Sequence, residues 1–499
     1  MMIRTLLLCA ICTLAPLFSL MAEPLSVAKI FSDNMILQQQ ADAPIWGWAE
    51  PDAKVVVKPS WASKSYTTKA DKDGAWRVEV KTPSYGGPYS VNIACGKERL
   101  ELKDVLIGEV WICSGQSNME MPISGFVRYS QPVEQSLETC LDALKYGDKI
   151  RIFTVPRNPQ DKAPAKDMPS GEWKKASFAS CAECSAVAYH FAHTLTNAID
   201  IPVGVVIASW GGTRIRPWTP RDCYEKVLKE LVSEGLVSKE EYATRTAYTK
   251  PYKNRPTSAG SLYNGMINPI KGFKARGFLW YQGCSNKKDY KFYDRLQNAM
   301  VTRWREEWGD KEAKMPFYYV LIAPFWGKIK EAENSFARGY FVENQISATK
   351  LTPNSDYAST ECFGSKFCIH PAKKLEVGRQ LALLALDRDY GVEGIDAGTP
   401  KLVKVTLKKR SYVLEFEKGK GLMVPPNDEA KGFEIAGEDK VFYPATALVW
   451  GNRIVVNVPD EVTTPQSLRY AFRNYAEGNI RSRFDFPLAP FRTDKWELK

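Results

Sequence analysis

Gly108-Glu109-Val110-Trp111-Ile112-Cys113-Ser114-Gly115-Gln116-Ser117-Asn118-Met119 is an apolar run that stops in small, turn-forming residues and leaves one hydroxyl, Ser117, at its tip. The run reads as a buried strand. The Ser-Gly-Gln-Ser turn should lead into a helix whose first free N–H groups face the serine oxygen. In an open α/β sheet, ligands bind beyond the carboxyl ends of the strands, so a serine at such a tip faces a cleft. A lone Gly-x-Ser turn is more often a capping serine than a nucleophile, and the rest of the chain decides between the two.

Three later segments repeat the design. Residues 201–209 (IPVGVVIAS) give way to Trp210-Gly211-Gly212-Thr213, whose backbone N–H groups no side chain obstructs. Residues 277–282 (GFLWYQ) give way to Gly283-Cys284-Ser285-Asn286 and end in an amide donor. After the strand-like run 317–322 (FYYVLI), the chain reaches Cys368-Ile369-His370-Pro371, just before a helical pattern over 373–386. A hydroxyl, two kinds of oxyanion donor and an imidazole are the minimum set for acyl transfer through a tetrahedral intermediate.

GEVWICSGQSNMEMP (108–122), SWGGTRIRPW (209–218), NGMINPIKGFKARGFLWYQGCSN (264–286) and IHPAKKLEVGRQLA (369–382) resemble successive signature blocks of the sialate O-acetylesterase family, within the wider SGNH-hydrolase group. The resemblance runs from near Leu25 to the closing YAFRNYAEGNIRSRFDFPLAPFRTDKW. It implies an SGNH-hydrolase-like α/β domain and a secreted serine esterase that removes O-acetyl groups from carbohydrates, sialic acids above all. Carried over by motif, Ser117 is similar to the family's nucleophile and His370 to its base. The Ser117 amide, a glycine of Gly211-Gly212 and the Asn286 side chain are similar to its oxyanion hole.

The chain departs from the commoner family pattern close to these blocks. Many members carry a glutamate where this chain has Cys284, an aspartate where it has Cys368, a glutamine where it has Leu321 and an arginine where it has Val342. The missing aspartate matters most, because the carboxylate of a Ser-His-Asp triad sets the imidazole tautomer and stabilises the imidazolium. Glu361, with Asp356 behind it, is the nearest upstream acid to take that place, and a backbone carbonyl or water is the other choice. The departures also keep rival readings open: a catalytically weak carbohydrate-binding protein on an esterase scaffold, an acetylxylan-type esterase, or an acetyltransferase using the same serine.

Composition bounds the rest. At 499 residues the chain exceeds one hydrophobic core, and 44% hydrophobic with 25% charged residues is ordinary for a globular protein. The net charge of +11 is spread over small clusters such as Lys373-Lys374 and Lys408-Lys409-Arg410. With no long basic stripe, nucleic acid is not an expected partner, while a mildly positive surface suits an anionic sugar. No phosphate-cradling loop or dinucleotide fingerprint is present, so no cofactor is expected. Oligomeric state is not legible.

One basic residue, Arg4, and an apolar run over 5–20 before Ala22-Glu23-Pro24 read as a secretory signal peptide over 1–22. Without it nine cysteines remain: Cys95, Cys113, Cys140, Cys181, Cys184, Cys223, Cys284, Cys362 and Cys368. An odd number leaves at least one free thiol. Cys181-Ala182-Glu183-Cys184 has redox-motif spacing but lacks a second pair for zinc, so a structural role is expected. His190 and His193 share a helix without the HExxH acid, and no metal is expected there.

Residues 23–103 read as short strands with turn punctuation, a β-sandwich module. From 104 to 395 buried strands alternate with helices, which argues an α/β domain with a largely parallel sheet. From 396 to 499 the strand pattern returns, and the two β ends are expected to pack together as one accessory unit. The Pro-rich stretch 158–180 reads as a rim loop. Trp210, Trp218, Trp280, Tyr281, Phe325 and Trp326 fall near strand ends, where they either stack on sugars or pack in the core. Arg214 and Arg216 either meet a substrate carboxylate or brace their loop.

Overall fold

The strand that delivers Ser117 is Glu98–Gly115, 18 residues long. Its first half alternates between exposed and buried positions, whereas everything from Val105 onward is buried. The first half accordingly pairs antiparallel with Gly86–Cys95, with one face wet, and the second half lies inside a sheet covered on both faces. The changeover falls at Asp104, whose φ of 53° bends the strand out of one sheet into the other. The boundary expected at 103/104 therefore lies within a continuous strand. The Asp104 carboxylate anchors the bend by pairing with Arg151, 2.8 Å away and almost fully buried, and with Lys175.

The computed structural model describes residues 24–248, 250, 256–327, 335–417, 419, 421–426 and 428–498. The leader expected over 1–22, with Cys9 and Cys12, lies outside the described residues. In the main sheet the strands run in the order Trp173–Lys175, Ile150–Thr154, Val203–Ser209, Glu98–Gly115, Gly277–Tyr281, Phe317–Val320 and Ser355–Ala358. All neighbours pair in parallel except the first two, which are antiparallel. Side chains alternate across this sheet and feed two cores. Val110 and Ile112 pack with Leu228, Leu296, Trp304 and Phe341 from the helices Arg221–Ser233, Tyr293–Glu307 and Ala337–Leu351. Trp111 and Cys113 pack with Phe191, Leu195, Leu381 and Leu384 from Ala186–Ile199 and Leu375–Arg388.

The β segments at the two ends do not form one unit. Ile36, Val55 and Val91 belong to the same core as Val110 and Ile112, because the long strand carries the N-terminal sheet directly into the α/β sheet. The C-terminal segment has its own core of Leu414, Ile435, Ile454 and Leu468 between two four-stranded antiparallel sheets. The 158–180 stretch is more than a rim loop: it supplies the edge strand Trp173–Lys175 and the start of the helix Phe178–Glu183. Trp173 is buried, with its indole N–H on the Ile30 carbonyl at 2.7 Å. All nine described cysteines are free thiols, and burial pushes those of Cys181 and Cys184 up, which disfavours their thiolate forms.

Asp104→Ala removes both ion partners and leaves the Arg151 guanidinium buried, so a loss of about 2 kcal/mol is expected, read as a lower urea midpoint. Asp104→Asn, which tolerates the left-handed backbone and keeps a hydrogen-bond acceptor, should recover part of it.

Candidate active site

Three strand ends are tied into one platform by backbone bonds. Gln116 N–H donates to the Tyr281 carbonyl at 3.0 Å, and Trp210 N–H to the Gly115 carbonyl at 3.1 Å. The Gln116 side-chain oxygen accepts Gly283 N–H at 3.1 Å and Ser285 N–H at 3.4 Å. Gly115, at φ 142° and pressed against the Tyr281 backbone, makes the turn that an L side chain would block. Ser117 then opens a one-turn helix, Ser117–Glu120, with its side chain half-buried at the tip.

The Ser117 hydroxyl donates to His370 Nε2 at 2.8 Å across 253 residues of sequence. On the far side of the ring, Nδ1 donates to Gln131 Oε1 at 2.8 Å, and Phe126 packs edge-on at 5.2 Å. The imidazole is thus held in the tautomer a general base requires, by a neutral amide. Both expected orienting groups are displaced. Glu361 is fully buried and bonded to Arg338 at 2.6 Å, and Asp356 pairs with Arg388. No backbone carbonyl replaces them. The Cys368 thiol turns back onto the His370 carbonyl at 3.2 Å.

Lys374, read in the sequence as part of a surface charge cluster, is 1% exposed. Its ammonium donates to Asn118 Oδ1 at 2.5 Å, and Asn118 Nδ2 donates to the Ile369 carbonyl at 3.0 Å. That relay clips the histidine loop to the residue next to Ser117. Burial pulls Lys374 down to about 7, with only the Cys284 and Cys368 thiols opposing the shift. Burial, with the Lys374 charge added to it, likewise pulls His370 down to about 4.

The oxyanion donors differ in availability. Among the described residues, the Ser117 and Gly212 N–H groups have no protein acceptor. Gly211 N–H donates to the Glu120 carboxylate, whose other oxygen pairs with Arg157. A side chain at Gly211 would crowd the serine turn, since a Cβ there would lie 3.2 Å from Ser117 Cβ and 2.7 Å from Glu120 Oε2. The structure does not hydrogen-bond Asn286 to the serine turn. Asn286 Nδ2 donates to Asp289 at 2.6 Å, and its Oδ1 accepts Ile215 N–H at 3.0 Å and Gln282 Nε2 at 2.7 Å, so its amide braces the loop after the double glycine.

A cavity of about 500 Å³ opens beside the imidazole, lined by Tyr129, Gln131, Phe367, Cys368, His370 and Lys373. Trp218, Trp280 and Tyr281 are core residues, whereas Trp210, Phe325 and Trp326 remain partly exposed. Arg216 braces its loop through the Ala247 carbonyl at 2.6 Å, and Arg214 is exposed. Leu321 and Val342 are buried in the sheet's helix-covered core. His190 is buried and His193 bonds Asp142 at 2.8 Å; among the described residues no group of three or more potential metal ligands is assembled.

Gln131, Lys374, Glu120 and Arg157 were not legible as site residues. Gln131 and Arg157 sit in irregular segments with no pattern around them, and Lys374 looks like any surface lysine. Glu120 alone carried a signal, its place one helical turn after Ser117, which puts it on the nucleophile's side of that turn.

Residues 107–361, more than half the chain, match the family model described as carbohydrate esterase, sialic acid-specific acetylesterase. A crystal structure of a carbohydrate acetylesterase from Xanthomonas citri is 31% identical with a TM-score of 0.79, covering 94% of this chain and 100% of that one. The sialate O-acetylesterases of Mus musculus and Homo sapiens are 26% and 27% identical, each match covering 82% of this chain and 81% and 79% of the relative. With the Ser117 block inside the matched segment and near-complete overlap with a solved acetylesterase, the chain belongs to the carbohydrate esterase family of sialic acid-specific acetylesterases.

Proposed function

We propose that the protein is a secreted serine esterase that removes O-acetyl groups from sialic acids through an acetyl-enzyme, on an SGNH-hydrolase-like α/β core. The observation that carries this reading is the 2.8 Å contact between Ser117 Oγ and His370 Nε2, with Nδ1 already held. A scaffold kept only for binding has no need of that alignment. The sialic acid substrate is supported by the family and by the names of the relatives, and export by the apolar leader over 1–22. Among the described residues no helix is long and apolar enough to cross a membrane.

In the first half-reaction Ser117 Oγ attacks the acetyl carbonyl while its proton passes to His370 Nε2. The carbonyl electron pair moves onto oxygen, which the free Ser117 and Gly212 N–H groups are placed to stabilise. The imidazolium returns the proton to the sugar oxygen as the C–O bond breaks, leaving acetyl-Ser117. Water then repeats the sequence and releases acetate. Asn286 serves this scheme by bracing the Gly212 loop, and its remaining amide hydrogen is the most it offers the oxyanion. Gln131 keeps the tautomer but supplies no negative charge to the imidazolium, so the cation that forms is less stabilised than in a carboxylate triad.

Three outcomes follow from the mechanism. Ser117→Ala is expected to cut acetate release from O-acetylated sialic acid at least about a thousandfold, with an unchanged circular dichroism spectrum; turnover near the parental level overturns the serine mechanism, and a preference for acetylated xylan redirects the substrate. Because His370 stays neutral down to about pH 4, the acid limb of kcat/KM should fall between about pH 4 and 5, below that of an ordinary histidine. Gln131→Glu, which adds the missing charge at Nδ1, should move that limb toward neutrality and raise kcat, whereas Gln131→Ala should lower kcat by about tenfold or more. An unshifted limb in Gln131→Glu together with an undiminished kcat in Gln131→Ala would remove Gln131 from the mechanism.

A further inference from the structure

Arg157 follows the strand Ile150–Thr154, which runs parallel to Val203–Ser209, and so emerges at the same edge of the sheet as Ser117 and Gly211. Its guanidinium lies over the Trp210 ring, 4.9 Å from the centroid, with about half of the side chain (49%) exposed. One terminal nitrogen of the guanidinium donates to Glu120, whose second oxygen takes the Gly211 N–H. One carboxylate therefore bridges an arginine at the rim and a backbone donor beside the nucleophile.

That arrangement is at odds with catalysis as it stands. A negative charge on Gly211 N–H occupies a donor of the oxyanion region and repels the charge that develops there. A stacked, half-open arginine facing a planar anion is also the geometry in which guanidinium groups receive carboxylates. The other arginines of the neighbouring loop do not compete for the role: Arg216 is bound to the Ala247 carbonyl, and Arg214 has no aromatic platform beneath it among the described contacts.

We propose that Arg157 is the receptor for the substrate's own carboxylate, and that Glu120 is its place-holder in the free enzyme. An acidic sugar exchanges its carboxylate for that of Glu120 on the guanidinium, so the arginine is never left without a counter-charge. Glu120, having lost its ion pair, leaves Gly211, and that N–H joins those of Ser117 and Gly212 at the oxyanion. Recognition and activation are then one event: a neutral sugar ester neither holds Arg157 nor releases Glu120, and the selectivity appears in kcat as well as in KM. The inference rests on the sialic acid reading above and names the residue that would enforce it.

The test measures acetate release by the full chain from O-acetylated N-acetylneuraminic acid, from its C1 carboxamide, and from 4-nitrophenyl acetate. The parental enzyme should favour the acid over the carboxamide by at least about tenfold in kcat/KM. Arg157→Met should erase that preference by losing activity on the acid alone, and Arg157→Lys should keep part of it as a point charge. Glu120→Gln should raise kcat severalfold on the carboxamide and on 4-nitrophenyl acetate, because no charge then faces the oxyanion; a brace with no other role would lose on all three. Equal parental rates on acid and carboxamide, a preference that survives in Arg157→Met, or the same fractional loss on all three substrates would overturn the proposal while leaving deacetylation of sialic acids intact. If the parental enzyme cleaves only 4-nitrophenyl acetate, the sialic acid reading fails and the inference falls with it.

Discussion

Everything in the catalytic region depends on a strand that must be buried on both faces over its last eleven residues. Val105 to Gly115 cannot face solvent on either side, so parallel strands must flank it and helices must cover both faces. The parallel neighbours end at nearly the same level, because the registers pair Ser209 and Tyr281 with Gly115. Their following loops then arrive together around Ser117. The N-terminal sheet contributes by holding the first half of the same strand, and the Asp104 bend with its arginine partner lets one backbone serve two differently hydrated sheets.

The electrostatics of the site follow from what lies around one buried lysine. Cys284 and Cys368 face Lys374 as thiols, which do not neutralise it as a carboxylate would. Burial pulls Lys374 toward neutrality, and burial, with the Lys374 charge as the lesser contribution, pulls His370 down as well. The imidazole is well oriented and weakly basic. Gln131 preserves the first property and does nothing for the second, since an amide oxygen accepts a hydrogen bond without carrying net charge. Geometry and driving force, combined in one aspartate in a Ser-His-Asp triad, are separated here.

The same separation explains why polar residues near the site fall into distinct jobs. Gln116 accepts loop N–H groups and Asn286 joins Ile215 N–H to the Gln282 and Asp289 side chains, so both keep the platform rigid, whereas Glu120 and Arg157 stand at an exposed edge with partners that solvent reaches. Rigid donors suit the charge that forms at the carbonyl. Exchangeable ion pairs suit recognition of whatever enters.

Local patterning was enough to mark Ser117, His370 and the strand ends that carry them, because a buried strand and a turn of small residues are written in consecutive positions. Ser117, His370 and the double glycine meet as that patterning implied. The orienting group was out of reach: Glu361 had proximity in sequence to recommend it, yet the fold buries it against Arg338 and brings in Gln131 from 239 residues away. The surface reading of Lys374 failed for the same reason, since a charged residue declares nothing of its burial until the loop around it is packed. Hydrophobic periodicity is a property of the chain and survives translation into elements. Which polar atoms pair is a property of the space between those elements, settled only when strand order and loop approach put them within 3 Å of one another.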